Sequence, residues 1–318
     1  MAKRMWRSSQ PPVETEGKRG MFDLAYGTQS GKQKMDLWFP EEGEGPFPLI
    51  LSIHGGGFIA CDKRNGEMIK PMLAGLKKGY AVAGINYRLS DECCFPEQIR
   101  DIKRCIRFIR AHAQELRIDP ERMVLWGGSA GGYLALMGAL CENVEFFDAP
   151  EDENRKISAR VAGCVAWYPL VDVSSAEQEL KINSVLHRFT EGPATDVSGE
   201  YEEALPVLES DEFPFYEAED GIKPRLLGAY DGTGREKIAD AKQYLHPDMP
   251  PVFIQHGSRD EIVPVQQSIQ FALKAEKICG KERVSLEIMP EAIHSSVLFE
   301  TDENIEKVLA FIEKIMHY

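Results

Sequence analysis

The sequence predicts an α/β fold, a mostly parallel central sheet with helices on both faces. Short apolar runs alternate with longer stretches of helical spacing, the pattern of strands joined by crossover helices. Several runs are apolar at every position, as strands buried on both faces are. Several also end directly in loops rich in glycine or bearing His and Asp. The alternation makes residues 1–318 a single domain, interrupted once at 172–247.

Residues 34–39 alternate, with Met35, Leu37 and Phe39 on one side, and read as an early, half-exposed strand. Residues 49–53 form a continuous apolar run that ends at His54-Gly55-Gly56-Gly57. A helical stretch near 67–77 leads to a further strand at 81–85. From 96 to 116 the spacing is helical: Ile99, Ile102, Ile106, Ile109, Ala113 and Leu116 step by three or four, and Pro96 suits the first turn. Residues 123–126 form a short strand running into Gly127-Gly128-Ser129-Ala130-Gly131-Gly132, and 133–140 behind it is helix-competent. Strands follow at 161–167, 252–255 and 284–289, with helices at about 265–278 and 304–316.

The interruption at 172–247 shows no clear strand–helix alternation. From Phe189 to Ile222 there is no Lys or Arg, while eleven acids lie there, from Glu191 to Asp220. A long insertion in a compact domain is a functional lid or a loose surface element. Two readings stand: a solvated acidic excursion, or a cap beside the active site that would repel anionic substrates.

The chain carries 51 acids against 37 Lys and Arg, a formal net charge of −14. This balance argues against nucleic acid, whose phosphates need cationic partners, and against an anionic membrane surface. The seven cysteines show no CxxC spacing, and Cys93 and Cys94 are adjacent. Most read as small buried apolar residues in a reducing compartment. Lys3, Arg4 and Arg7 are followed by no apolar run, and no stretch is long enough to span a membrane. The expectation is a soluble cytoplasmic protein, with a homodimer as the base-rate oligomer.

Gly127-Gly128-Ser129-Ala130-Gly131 fits G-x-S-x-G between a strand and a helix. A serine at that corner needs strained backbone to hold its hydroxyl above the sheet edge. Ala130 opens the helix, so its N–H is an unpaired donor at the positive end of the dipole. In His54-Gly55-Gly56-Gly57-Phe58 the glycines let backbone N–H groups face a ligand, and Gly56 and Gly57 are candidate donors to an oxyanion beside Ala130. His54 reads as a structural hydrogen-bonder of this loop. Asp260 lies just past the strand at 252–255, on the edge where a carboxylate can orient a histidine. Its rivals are Glu261, Asp172 and Asp231. His294 follows the strand at 284–289 and is favoured as general base over His112, His187, His246, His256 and His317.

These residues resemble the α/β-hydrolase superfamily, and within it the small carboxylesterases of the hormone-sensitive-lipase and feruloyl/acetyl-esterase-like branches. The resemblance rests on His54 to Phe58, Asn86-Tyr87-Arg88-Leu89, Phe95-Pro96, Asp119-Pro120, Gly127 to Gly132 and His256 to Pro264. It implies the α/β-hydrolase fold with a cap/lid insertion, and its order of Ser129, Asp260 and His294 is the one expected there. Gly128 stands where many hormone-sensitive-lipase relatives carry Asp, and Ile293 where relatives often have Gly. The implied activity is hydrolysis of short-acyl esters, sugars being among the candidate alcohols, by Ser129, Asp260 and His294 with the N–H groups of Gly56, Gly57 and Ala130. No metal or organic cofactor is needed, and the partner is a small-molecule ester. The rival activities are amide cleavage, as in formamidases or small peptidases, and a non-catalytic ligand-binding module.

Overall fold

A computed structural model describes residues 10–189, 221–228 and 234–316, with backbone alone for 184–189. The acids at 191–220, Asp231, His317 and the side chain of His187 therefore lie outside the described residues.

Eight strands form one sheet: β1 (Gly20–Ala25), β2 (Lys34–Trp38), β3 (Phe47–Ile53), β4 (Ala81–Ile85), β5 (Ile118–Gly128), β6 (Gly163–Trp167), β7 (Val252–Gly257) and β8 (Val284–Met289). Their spatial order is β1-β2-β4-β3-β5-β6-β7-β8. β1 and β2 pair antiparallel, β2 meets β4 antiparallel, and β4 through β8 run parallel. The predicted α/β class is the observed one. Helices α1 (Gly66–Leu73), α2 (Glu97–Ala111) and α3 (Ala130–Leu140) follow β3, β4 and β5. α4 (Ala176–Phe189), α5 (Ile222–Leu227) and α6 (Arg235–Ala239) follow β6, and α7 (Gln266–Cys279) and α8 (Asp302–Met316) complete the chain.

Both faces of the sheet are covered, so its parallel strands have no solvent side. Leu49, Leu51, Ile53 and Leu125 pack on the side that carries α2 and α3. Ile50, Val82, Val124 and Trp126 pack on the other, against α1 and α8. Every residue of α3 is buried, as in a helix apolar on all sides.

Four points depart from the sequence reading. β2 is not half-exposed: it lies between β1 and β4, and Asp36 and Trp38 on its second face are as buried as Met35 and Leu37. Asp36 is paired there with Arg64 at 2.6 Å and Lys63 at 3.4 Å, so a charge that reads as solvent-facing is neutralised inside. β1 has no counterpart in the sequence reading, because its register shifts between Met21 and Leu24 around Asp23 at φ 56°, breaking the alternation. α2 stops at Ala111 instead of 116, and Leu116 is buried in the turn beyond it. Of the seven cysteines, all free, only Cys105, Cys141 and Cys164 are fully buried.

The sheet order places the site. The chain leaves β3 for β4 on one side, then returns past β3 to β5 on the other. The carboxyl ends of β3 and β5 flank this switch point, where open α/β sheets bind ligands. Ile53 pairs with Gly127, so the glycine loop after β3 and the serine after β5 emerge side by side.

Candidate active site

Ser129 occupies the turn between β5 and α3 with φ 57° and ψ −123°, a left-handed backbone that a side chain adopts only under constraint. The constraint is close packing. A Cβ on Gly131 would overlap the carbonyl oxygen of Ile53, and one on Gly127 would overlap that of Gly131. The Ser129 N–H donates to Trp167 O at 3.0 Å, which ties the turn to β6.

His294 and Asp260 come from loops after β8 and β7 and converge on Ser129. His294 Nδ1–H donates to Asp260 Oδ2 at 2.7 Å, which leaves Nε2 to accept from the Ser129 hydroxyl at 3.0 Å. The other oxygen of Asp260 accepts from the backbone N–H groups of Ile262 and Val263 at 2.9 and 2.8 Å. Burial alone would raise the Asp260 pKa. The facing charge of His294 and the hydrogen bonds of His256 and His294 outweigh it and hold the carboxyl well below the usual range. A series of this kind can take the hydroxyl proton as the oxygen attacks and stabilise the resulting imidazolium.

The glycine loop closes the other side. Gly56 and Gly57 have φ of 95° and 59°, which glycine alone adopts without cost. Gly57, Phe58 and Ala130 line a small cavity at Ser129. Gly56 is not in that lining; its carbonyl accepts from the N–H groups of Ile59 and Ala60. As the first residue of α3, Ala130 has no intrahelical acceptor for its N–H.

The competing residues sit elsewhere or are already engaged. His54 is buried, stacked on Tyr87 at 4.4 Å and bonded through Nδ1 to Gly55 O. His256 Nε2–H donates to Val263 O at 2.8 Å while Nδ1 accepts from the Ser268 hydroxyl at 2.7 Å. His112 caps the end of α2, and His246 borders a separate polar cavity. Asp172 pairs with Lys242 at 3.1 Å. Glu261 lies beside Asp260, its carboxyl pushed up to about 7 by burial and the Asp260 charge.

Sequence reasoning overlooked Tyr168. It follows β6 at φ 36°, and its ring stands 4.7 Å from that of His294. Its signal was positional: it is the first residue past a strand adjoining the one that carries Ser129.

Comparison with known proteins bears on this geometry. The BD-FAE family profile matches residues 35–209 and 216–275. The chain belongs to the BD-FAE family. Esterase LipQ of Mycobacterium tuberculosis (strain ATCC 25618 / H37Rv) is similar to this BD-FAE chain, 27% identical over 276 residues, 86% of the chain and 56% of LipQ. The chain thus spans about half the length of the curated mycobacterial relatives it matches. Among solved structures, a truncated carbohydrate esterase from gut microbiota superposes with a TM-score of 0.75 at 21% identity, covering 97% of this chain and all of that one. Thermogutta terrifontis esterase 2, phosphonylated by sarin, superposes with a TM-score of 0.69 at 21% identity, over 95% of this chain and 96% of its own. At that identity both show the fold, and the fold is that of the α/β-hydrolases.

Proposed function

We propose that this BD-FAE member is a serine carboxylesterase acting on short-acyl esters, with esters of sugars as the candidate natural class. The observation that carries the reading is the unbroken hydrogen-bonded series from Asp260 through His294 to Ser129, at a serine held in left-handed backbone.

Ser129 Oγ attacks the ester carbonyl while His294 Nε2 takes its proton. Asp260 fixes the tautomer of His294 and balances its charge. The N–H groups of Gly57 and Ala130, with Gly56 behind them, receive the oxyanion, and each such donor supports roughly 10²–10³ in rate. His294 returns the proton to the departing alcohol, and water then cleaves the acyl-enzyme. The insertion serves as the cap of this site. Its residue Ile222, at the start of α5, lines the cavity at Ser129.

The test is hydrolysis of 4-nitrophenyl esters by the wild type and Ser129→Ala, together with labelling by a fluorophosphonate probe. Ser129→Ala is expected to lower kcat by several orders of magnitude and to abolish labelling. Near-full activity in Ser129→Ala would sink the assignment.

A further inference from the structure

The Asp260 carboxylate faces two imidazoles, and only one of them enters the mechanism above. His294 Nδ1–H meets Oδ2 at 2.7 Å, and His256 Nε2–H stands 3.3 Å from the same oxygen. Each imidazole has a serine at its far nitrogen. Ser129 Oγ lies 3.0 Å from His294 Nε2, and Ser268 Oγ lies 2.7 Å from His256 Nδ1. Five side chains thus form one series, from Ser129 through His294, Asp260 and His256 to Ser268. Its two halves differ in access. Ser129 opens on a cavity, whereas His256 and Ser268 are wholly buried. The second half reaches no substrate, so it can act on the reaction only through Asp260.

The surroundings of His256 fix its tautomer. Its Nε2 faces two acceptors, Val263 O at 2.8 Å and the carboxylate, so the proton sits there. Its Nδ1 is left to accept from the Ser268 hydroxyl, in the first turn of α7. The shared N–H lies nearer Val263, and its dipole still faces the carboxylate where water is excluded and a dipole counts for more. His256 therefore bears on Asp260 from both ends. It meets Oδ2 directly, and it braces Val263, whose N–H is one of the two that hold Oδ1.

We propose that His256 is a positioning residue for the esterase reaction, holding the Asp260 carboxylate in place for His294, with Ser268 fixing the tautomer in which it does so. The proposal rests on the esterase reading above. A carboxylate that loses this brace can turn, and the base it orients loosens with it. The cost then falls on kcat and leaves KM alone, because neither His256 nor Ser268 lines the cavity at Ser129.

The experiment measures kcat and KM for 4-nitrophenyl acetate in the wild type, His256→Gln, His256→Asn, Ser268→Ala, Asp260→Asn and the double variant His256→Asn/Asp260→Asn, with a thermal melt for each. Glutamine carries an amide N–H to the place of Nε2, whereas asparagine reaches only the place of Nδ1 and leaves Asp260 and Val263 without the donor. His256→Asn is expected to lower kcat by about tenfold or more with KM little changed, and His256→Gln to stay within about threefold of the wild type. In the Asp260→Asn background His256→Asn is expected to cost less than about twofold more, since residues that act as a unit are not additive. Full kcat in folded His256→Asn overturns the proposal while leaving the esterase reading intact. So does an equal loss in the Gln and Asn variants, or a loss that multiplies in full with that of Asp260→Asn. Should His256→Asn melt below the assay temperature, Ser268→Ala decides. It frees the ring to turn and is expected to cost about threefold in kcat at constant KM, and an unchanged kcat there overturns the proposal. A wild type that turns over no ester and takes no fluorophosphonate overturns the esterase reading, and the role of His256 with it.

Discussion

The ring of Tyr168 stands edge-on to the imidazole of His294, with centroids 4.7 Å apart and planes 64° apart. The same ring packs edge-on to Phe299 at 4.7 Å and is only 2% exposed, so it has little room to retreat. It also fills the space in front of Gly128, where a Cβ would lie 3.0 Å from the phenol oxygen and 3.2 Å from the ring. The absence of a side chain just before Ser129 is thus what admits the ring that supports the histidine. Gly128→Ala should displace Tyr168, with a cost of about 1–3 kcal/mol in stability and about tenfold in kcat through His294. Adding Tyr168→Phe removes the nearest clashing atom and should restore part of both. Full kcat in Gly128→Ala, measured beside its melting temperature, would refute the coupling.

Asp260→Asn separates orientation from folding. The asparagine oxygen can still accept from Ile262 and Val263, so the loop should keep its shape. Its amide nitrogen would then face two donors, His294 Nδ1–H and His256 Nε2–H, which stands 3.3 Å from the carboxylate. His294 escapes that clash by changing tautomer, which puts a proton on the nitrogen that has to accept one. The expected result is a kcat lower by roughly 10³–10⁴-fold with KM little changed. Steady-state kinetics on an acetyl ester checks it, and a loss below tenfold would contradict the role given to Asp260.

His54 couples stability to pH. Burial pulls its pKa from 6.5 to about 4. Between those values only the unfolded chain binds the proton, so stability falls as pH drops through that window and is unaffected above it. The full difference is about 3 kcal/mol. His54→Asn removes the proton site and carries its own packing cost off Tyr87 at every pH. Its deficit against the wild type in urea unfolding should therefore be larger at pH 7 than at pH 4.5. A deficit constant across that range would show that His54 is not held neutral.

What could be read from the sequence depended on how local each cause was. β4 and β8 begin and end where the sequence places them, at Ala81–Ile85 and Val284–Met289. Ser129, Asp260 and His294 stood out because each follows a strand end, and a parallel sheet brings its carboxyl ends to one edge. The half-exposed reading of β2 failed because the partner of Asp36 is Arg64, 28 residues on and unmarked by any motif. Tyr168 and Ile222 reach the site only through packing. Nothing in their neighbours in sequence distinguishes them from other apolar residues of the core.

Glu261 gives the opposite pH signature to His54. Burial and the adjacent Asp260 charge raise its carboxyl from 4.5 to about 7, and one of its oxygens is buried without a hydrogen-bond partner. Between 4.5 and 7 the folded chain holds a proton that the unfolded chain has lost, so stability falls as pH rises through that window. Above it the protein carries a buried negative charge beside another. Glu261→Gln keeps the shape and removes the charge. It should raise stability at pH 8 by roughly 1–3 kcal/mol and change it little at pH 5, where the wild-type carboxyl is already neutral. Urea midpoints at the two pH values measure the difference. A Gln variant less stable than the wild type at pH 8 would mean that the ionised carboxylate is compensated in the fold, and that its proximity to Asp260 carries no penalty.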